Sequence, residues 1–333
     1  MAGPVLAMTC MLDCACPRYT GRMASPSRIS ILAALAGNVA VGAVKLFAFM
    51  LSGSSSMLVE AVHSAVDTLN QGLLLFGQWR GAKPADAHHP FGYGLEAYFW
   101  TFMVGLLILV AGGAGSIYEG IQKLRHPEPL THVTLSIVVL ALCMVFEIAS
   151  LVVSVRESDN NASPLFKRRR TRRLTIAEAI HFSPDPGIFE VLAEGVASII
   201  GLVFAFAGIA GSAWFGWLAA DGWAAIAIGL LLVALAGVVV VETHSLLTGE
   251  GAAQPVVEGL REILEADPHI ASVCEIFTMF LGPDVLLVAA TLQFQPHLSG
   301  AEVAIASDEV CAKLRAADKR INQLFLRPGQ PKG

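Results

Sequence analysis

Charge is what this sequence has least of. Aspartate, glutamate, lysine and arginine together make up 15% of its 333 residues, where a soluble globular domain carries roughly a quarter. With 55% of residues apolar and a mean hydropathy of +0.63, an ordinary soluble domain is excluded. The net charge of −5 says nothing about nucleic acid; the information lies in where the charges sit. Cysteine is also sparse. Cys10, Cys14 and Cys16 cluster near the start, but no fourth ligand stands nearby to complete a tetrahedral metal site. Cys143, Cys274 and Cys311 are scattered. Residues 1–27 lack the long apolar core and small-residue cleavage site of a secretory signal, and read as a disordered tail. No serine or cysteine nucleophile motif and no His-Glu-x-x-His occurs, and Ser54–Ser56 have no general base in register. The expectation is a protein that is not an enzyme and needs no cofactor.

What is abundant is long apolar sequence. A helix that crosses a bilayer needs about 20 apolar residues. Six stretches qualify: about 29–51, 55–78, 98–121, 133–155, 187–209 and 221–247. None contains proline, and glycine and alanine recur within them, as close helix packing in lipid requires. Lysine and arginine fall mainly on one side of these spans. That side holds Arg18, Arg22, Arg28, Arg80, Lys83, Arg156 and the run KRRRTRR at 167–173; the other holds Lys123 and Arg125. The bias puts both termini in the cytoplasm. A basic run between two spans fixes topology and touches anionic lipid, and nucleic-acid binding is not expected.

Beyond Leu247 the texture changes. QPVVEGLREILEA (254–266) is an amphipathic helix, HIASVCEIFTMFLG a strand, Gly282-Pro283-Asp284 a turn, VLLVAATLQFQ a second strand, and GAEVAIASDEVCAKLRAADKRI a final helix. The predicted fold is therefore a membrane all-α bundle of six spans plus a small α+β domain, helix-strand-strand-helix. The predicted boundaries are a tail at 1–27, a transport domain at 28–250, a cytoplasmic domain at 251–326 that dimerises or regulates, and a tail at 327–333.

The second span carries the chemistry. In SSSMLVEAVHSAVDTLNQGLLLFG, His63 and Asp67 are four apart and share one helix face. An ionised aspartate at mid-bilayer costs about 2.5–3.5 kcal/mol on insertion scales, so it marks an ion path. Imidazole nitrogen and carboxylate oxygen are two ligands of a tetrahedral zinc site and also a proton relay; a His–Asp hydrogen bond that only joins helices is the plain alternative. Asn70 and Gln71, one turn on, either orient these ligands or bind neighbouring helices. Glu60 is an entrance group or a snorkelling one, and Asn38 reads as helix glue. The fifth span repeats the spacing with Glu190 and Glu194, so two helices can close one site. Glu147 lies deep in span four and faces the interior. Glu119 lies in span three, and Asp221 and Glu242 lie near the ends of span six.

Three segments give this pattern a family likeness: HSAVDTLNQ (63–71), HPFGYGLEAYFW (89–100) and DPGIFEVLAEGVASIIG (185–201). With six spans and a small C-terminal domain, the chain resembles the cation diffusion facilitator family, in the branch of the mitochondrial zinc transporter and its bacterial relatives. The resemblance implies export of a divalent metal, chiefly Zn2+, in exchange for protons, by a homodimer whose soluble domain is metallochaperone-like. Mn2+, Co2+ and Ni2+ suit related ligand sets. It also implies a metal site of His63 and Asp67 with a fifth-span carboxylate. There the branch reads Glu-Asp where this chain has Glu194-Gly195. Glu190 and Glu194 stand one residue earlier, about 100° around the helix; either a modest rotation lets Glu194 with Glu190 replace the lost carboxylate, or the site has decayed and the protein is a non-transporting metal sensor or scaffold. The Ala-, Gly- and Arg-rich texture suggests a bacterial inner membrane.

Overall fold

The computed structural model describes residues 26–52, 55–127, 133–161, 163–165 and 185–329, with side chains from Ile31 onward except 48, 49, 51–63, 157 and 159–161. Residues 1–25 of the predicted tail, with their three cysteines, and the KRRRTRR run lie outside the described residues, as do the side chains of Glu60 and His63; Pro26 and Ser27, counted in the tail, open the first helix instead.

Six long helices come first: α1 (Pro26–Ser52), α2 (Ser55–Gly81), α3 (Leu95–Arg125), α4 (Val133–Asn161), α5 (Pro186–Phe215) and α6 (Ala220–Thr248). Among the described residues, α3 to α6 are long and apolar enough to cross a membrane, and α1 carries a shorter apolar stretch at Ile31–Phe47. Their packing closes a ring. α1 contacts α2 and α4, α5 contacts α4 and α6, and α3 contacts α6 and α2. The interior of this ring is where polar groups can gather away from lipid.

Glycine sets how tightly the ring closes on α6. A Cβ at Gly120 would come within 2.7 Å of the Gly222 carbonyl, and one at Gly229 within 2.9 Å of the Gly113 carbonyl. The third span departs from its predicted regularity. Ile108–Ala114 (ILVAGGA) is a π-helical segment between α-helical halves, a wider turn that shifts the register of side chains beyond it.

The C-terminal unit contains α7 (Gln254–Glu265), β1 (Ile270–Gly282), β2 (Val285–Phe294), α8 (Gly300–Ala317) and β3 (Ile321–Pro328). β1 and β2 form the antiparallel hairpin that the Gly-Pro-Asp turn predicts. The predicted helix-strand-strand-helix order is incomplete, because β3 follows α8 and pairs parallel to β2. A parallel strand needs a crossover, and α8 is that crossover. Ser299 opens α8 with a capping box: its hydroxyl accepts from the Glu302 N–H while the Glu302 carboxylate accepts from the Ser299 N–H. Leu260, Leu264, Leu286, Val288, Leu292, Val310 and Leu314 form the core of the unit.

The two units touch at the α2–α3 connection. Gly94 and Gly282 meet backbone to backbone, too close for a side chain on either. A second tie comes from the segment after α4: the Ser163 hydroxyl donates to Asp318 (2.6 Å), and Leu165 packs beside Gly259 of α7.

Candidate cation-binding cavity

α5 is started by its own sequence. Asp185 caps it, its carboxylate accepting from the Gly187 N–H at 3.0 Å, and Pro186 occupies the first turn, where no N–H is needed. One and two turns on, Glu190 and Glu194 enter the ring. Glu190 is wholly buried, and neither carboxylate oxygen has a hydrogen-bond partner. Glu194 is half-buried and reaches α2, where Gln71 Nε2 donates to its Oε2 at 2.5 Å.

On α2 the buried face runs through Ser64, Asn70, Gln71, Leu74 and Gln78, with Asp67 half-buried beside them. Asn70 Oδ1 and Gln71 Oε1 are buried without partners. Together with Glu190 they are the only buried side-chain polar atoms without partners among the described residues. An amide oxygen or carboxylate left so in a low-dielectric interior is costly, and a visiting cation or proton would satisfy it.

A cavity of about 620 Å³ fills the ring. Asp67, Glu194, Gly195 and Glu147 line it, with Asn38 and Lys45 of α1. Glu119, Lys123 and Asp221 line it as well, at the end of α3 and the start of α6. There the Lys123 ammonium bridges Glu119 (3.0 Å) and Asp221 (2.9 Å). Asp221, in the first turn of α6, is held by a lysine of the neighbouring helix.

The sequence-derived candidates therefore separate. Asp67 and Glu194 share the cavity wall; Glu190 lies one turn nearer the start of α5, off that wall but within electrostatic reach of Asp67. The His63 backbone is in α2, and its side chain is outside the described residues. Among the described residues, no three histidine, cysteine, aspartate or glutamate side chains converge to metal-binding distance. Gly195 faces α4, where a Cβ would touch Leu151 at 3.4 Å. Thus the face of α5 directed at α2 belongs to Glu194, and the face directed at α4 belongs to Gly195. Lys45 was missed from sequence; a lysine inside an apolar helix is the signal that marks it.

On the cytoplasm-predicted side, the 82–94 connection folds around Asp86. Its carboxylate accepts from the His88 and His89 N–H groups (2.9 and 2.8 Å) and from the Tyr93 hydroxyl (2.7 Å). Those hydrogen bonds, led by Tyr93, hold the Asp86 carboxyl below its ordinary pKa.

Comparison with known proteins agrees with this architecture. The sequence pattern of the cation efflux transmembrane domain matches residues 31–248. The proton-coupled zinc antiporter SLC30A9, mitochondrial, of Xenopus laevis is 30% identical over 250 residues, which is 75% of this chain and 44% of that protein. Its Homo sapiens counterpart is 28% identical over the same length, covering 43% of that protein. The chain thus spans less than half the length of these relatives. The cation-efflux pump FieF of Klebsiella pneumoniae is 26% identical over 295 residues, 87% of each chain. With a ring of apolar helices around a carboxylate-lined cavity and the family pattern across most of that ring, the chain belongs to the cation diffusion facilitator family of cation efflux proteins.

Proposed function

We propose that this protein exports a divalent cation, Zn2+ foremost, from the cytoplasm in exchange for protons. The observation that carries the reading is the pairing of Asp67 on α2 with Glu194 on α5 across one intramembrane cavity, with Glu194 held toward α2 by Gln71. In this reading all six helices span. α1 and α2 have 27 residues each, about 40 Å of helix against a hydrocarbon core of about 30 Å. Residues 28–250 are the transport domain and 251–326 the cytoplasmic domain. Both termini are cytoplasmic, the host membrane is a bacterial inner membrane, and two chains act as a homodimer.

His63, Asp67 and Glu194 take the cation in their deprotonated forms, with Glu190 as a reserve carboxylate beneath them. Protons compete for the same atoms, because a metal ligand must shed its proton to bind. One site thereby serves both ions, and a proton gradient drives release on the far side. A nitrogen and carboxylate set favours zinc; an oxygen-richer set moves preference toward manganese.

Reconstituted vesicles test this. Zinc-dependent proton flux is expected in wild type, abolished in Asp67→Ala and strongly reduced in Glu194→Ala. Unchanged flux in Asp67→Ala would remove the proposed site. Gly195 supports a second reading, a membrane metal sensor that does not transport; there wild type is silent and Gly195→Asp switches flux on.

A further inference from the structure

Glu147 sits midway along α4, with apolar neighbours on either side in sequence, yet its carboxylate lies on the wall of the cavity. Three features put it there. First, α4 packs directly on α5, and the contact at this level is made by Gly195 against Leu151, one turn beyond Glu147. Gly195 and Glu147 line the same cavity, and no side chain at 195 stands between them. Second, Ser198 is three residues beyond Gly195 and so shares its helix face. Its hydroxyl is near enough to the Glu147 carboxyl to act on it, and both residues line the cavity. Third, Glu147 is close enough to Asp67 and to Glu194 for their charges to act on one another.

We propose that Glu147 is a ligand of the transported cation, contributed by α4 into the space that Gly195 leaves on α5. The proposal rests on the reading that the cation binds between α2 and α5. Charge supports it. Around this part of the cavity stand the carboxylates of Asp67, Glu147 and Glu194 and the Lys45 ammonium, which also acts on Glu147. Three carboxylates outnumber one ammonium here, with Glu190 a further carboxylate within reach of Glu194, and this surplus of acid favours a cation. The partnerless oxygens supply an independent pointer. Gln71 gives its amide nitrogen to Glu194 while its Oε1, buried at 0% exposure, has no hydrogen-bond donor. A cation held by the carboxylates is the kind of group that such an oxygen lacks.

The test is equilibrium zinc binding to the purified full-length protein, with zinc flux in vesicles as the second readout. Glu147→Gln keeps the shape and removes the charge; it is expected to weaken zinc binding by at least about ten-fold, the scale seen when a metal site loses a supporting group. Adding Gly195→Asp to that variant is expected to restore binding to within about three-fold of wild type, since a Cβ at 195 makes only ordinary contact with Leu151. A purely structural Glu147 gives no such rescue. Should Glu147→Gln not fold, Glu147→Asp replaces it, with an expected weakening of about three-fold. Wild-type affinity in a folded Glu147 variant, alongside loss of binding in Asp67→Asn, overturns the assignment and leaves the transport reading standing. Equal zinc binding by wild type and Asp67→Asn overturns both.

Discussion

In the sheet unit, Asp267 and Asp318 have side chains only 1% and 2% exposed, and both are fully engaged. Asp267 accepts from Lys313 Nζ at 2.7 Å and from the His269 backbone N–H at 3.0 Å. Asp318 accepts from Arg320 at 2.7 Å and from Ser163 at 2.6 Å. In the helical ring, Glu190 is buried just as deeply, with neither oxygen engaged, and Asn70 and Gln71 each leave an oxygen unmatched. A protein interior tolerates the first arrangement as structure, because the partners offset desolvation. The second costs stability and contributes nothing to it. Its concentration on α2 and α5, where Gln71 holds the Glu194 carboxylate of the cavity wall, separates groups kept for binding from groups kept for folding.

The sharpest way to break this contrast is at Asp318. Asp318→Ala strands Arg320, whose side chain is 14% exposed, and frees Ser163. The loss of a buried pair's partner is expected to cost about 3 kcal/mol, read by denaturant unfolding of the C-terminal unit. Loosening of the segment at 163–165 should accompany it in hydrogen exchange. A loss near zero would mean that the ion pair is not structural.

Acid provides the next largest effect. Burial pushes the Asp318 carboxyl up, but the Arg320 hydrogen bonds and charge and the Ser163 hydroxyl outweigh it, leaving the pKa below the ordinary value. Asp267 is lowered in the same way, burial being outweighed chiefly by Lys313 and the His269 N–H. A carboxyl with a depressed folded-state pKa adds stability above its unfolded value and loses it as pH falls through the folded value. The sheet unit should therefore hold its stability down to about pH 4 and lose it progressively below, followed by circular dichroism of its strands. Loss of that stability above pH 5 would contradict the pairing.

The smallest change in stability is expected at Glu190→Gln. No partner is broken there, so the melting temperature should stay near wild type or rise, while zinc flux falls. Destabilisation as large as that of Asp318→Ala would show that Glu190 is structural.

Much of this was readable from residue order. The Gly-Pro-Asp turn between β-branched runs announces the β1–β2 hairpin, and the spacing of Val257, Leu260, Ile263 and Leu264 announces α7, because both signals are local. β3 was not readable. INQLFLRP follows α8 after a short turn, and its partners at 286–292 lie about thirty-five residues back; parallel pairing leaves no local mark. The π-helical segment of α3 was also hidden, since ILVAGGA is a plausible α-helix by composition.

At the cavity, the sequence alone determined that acids enter the ring: the i, i+4 pairs place Glu190 with Glu194 and His63 with Asp67 on shared faces through helix geometry. It could not determine which way those faces turn, because neighbouring residues on a helix differ by about 100° and either Glu194 or residue 195 could have met α2. Tertiary packing decided that. Gly195 turns toward Leu151 of α4, Gln71 captures Glu194, and the ring brings Glu147 from a third helix into the same space.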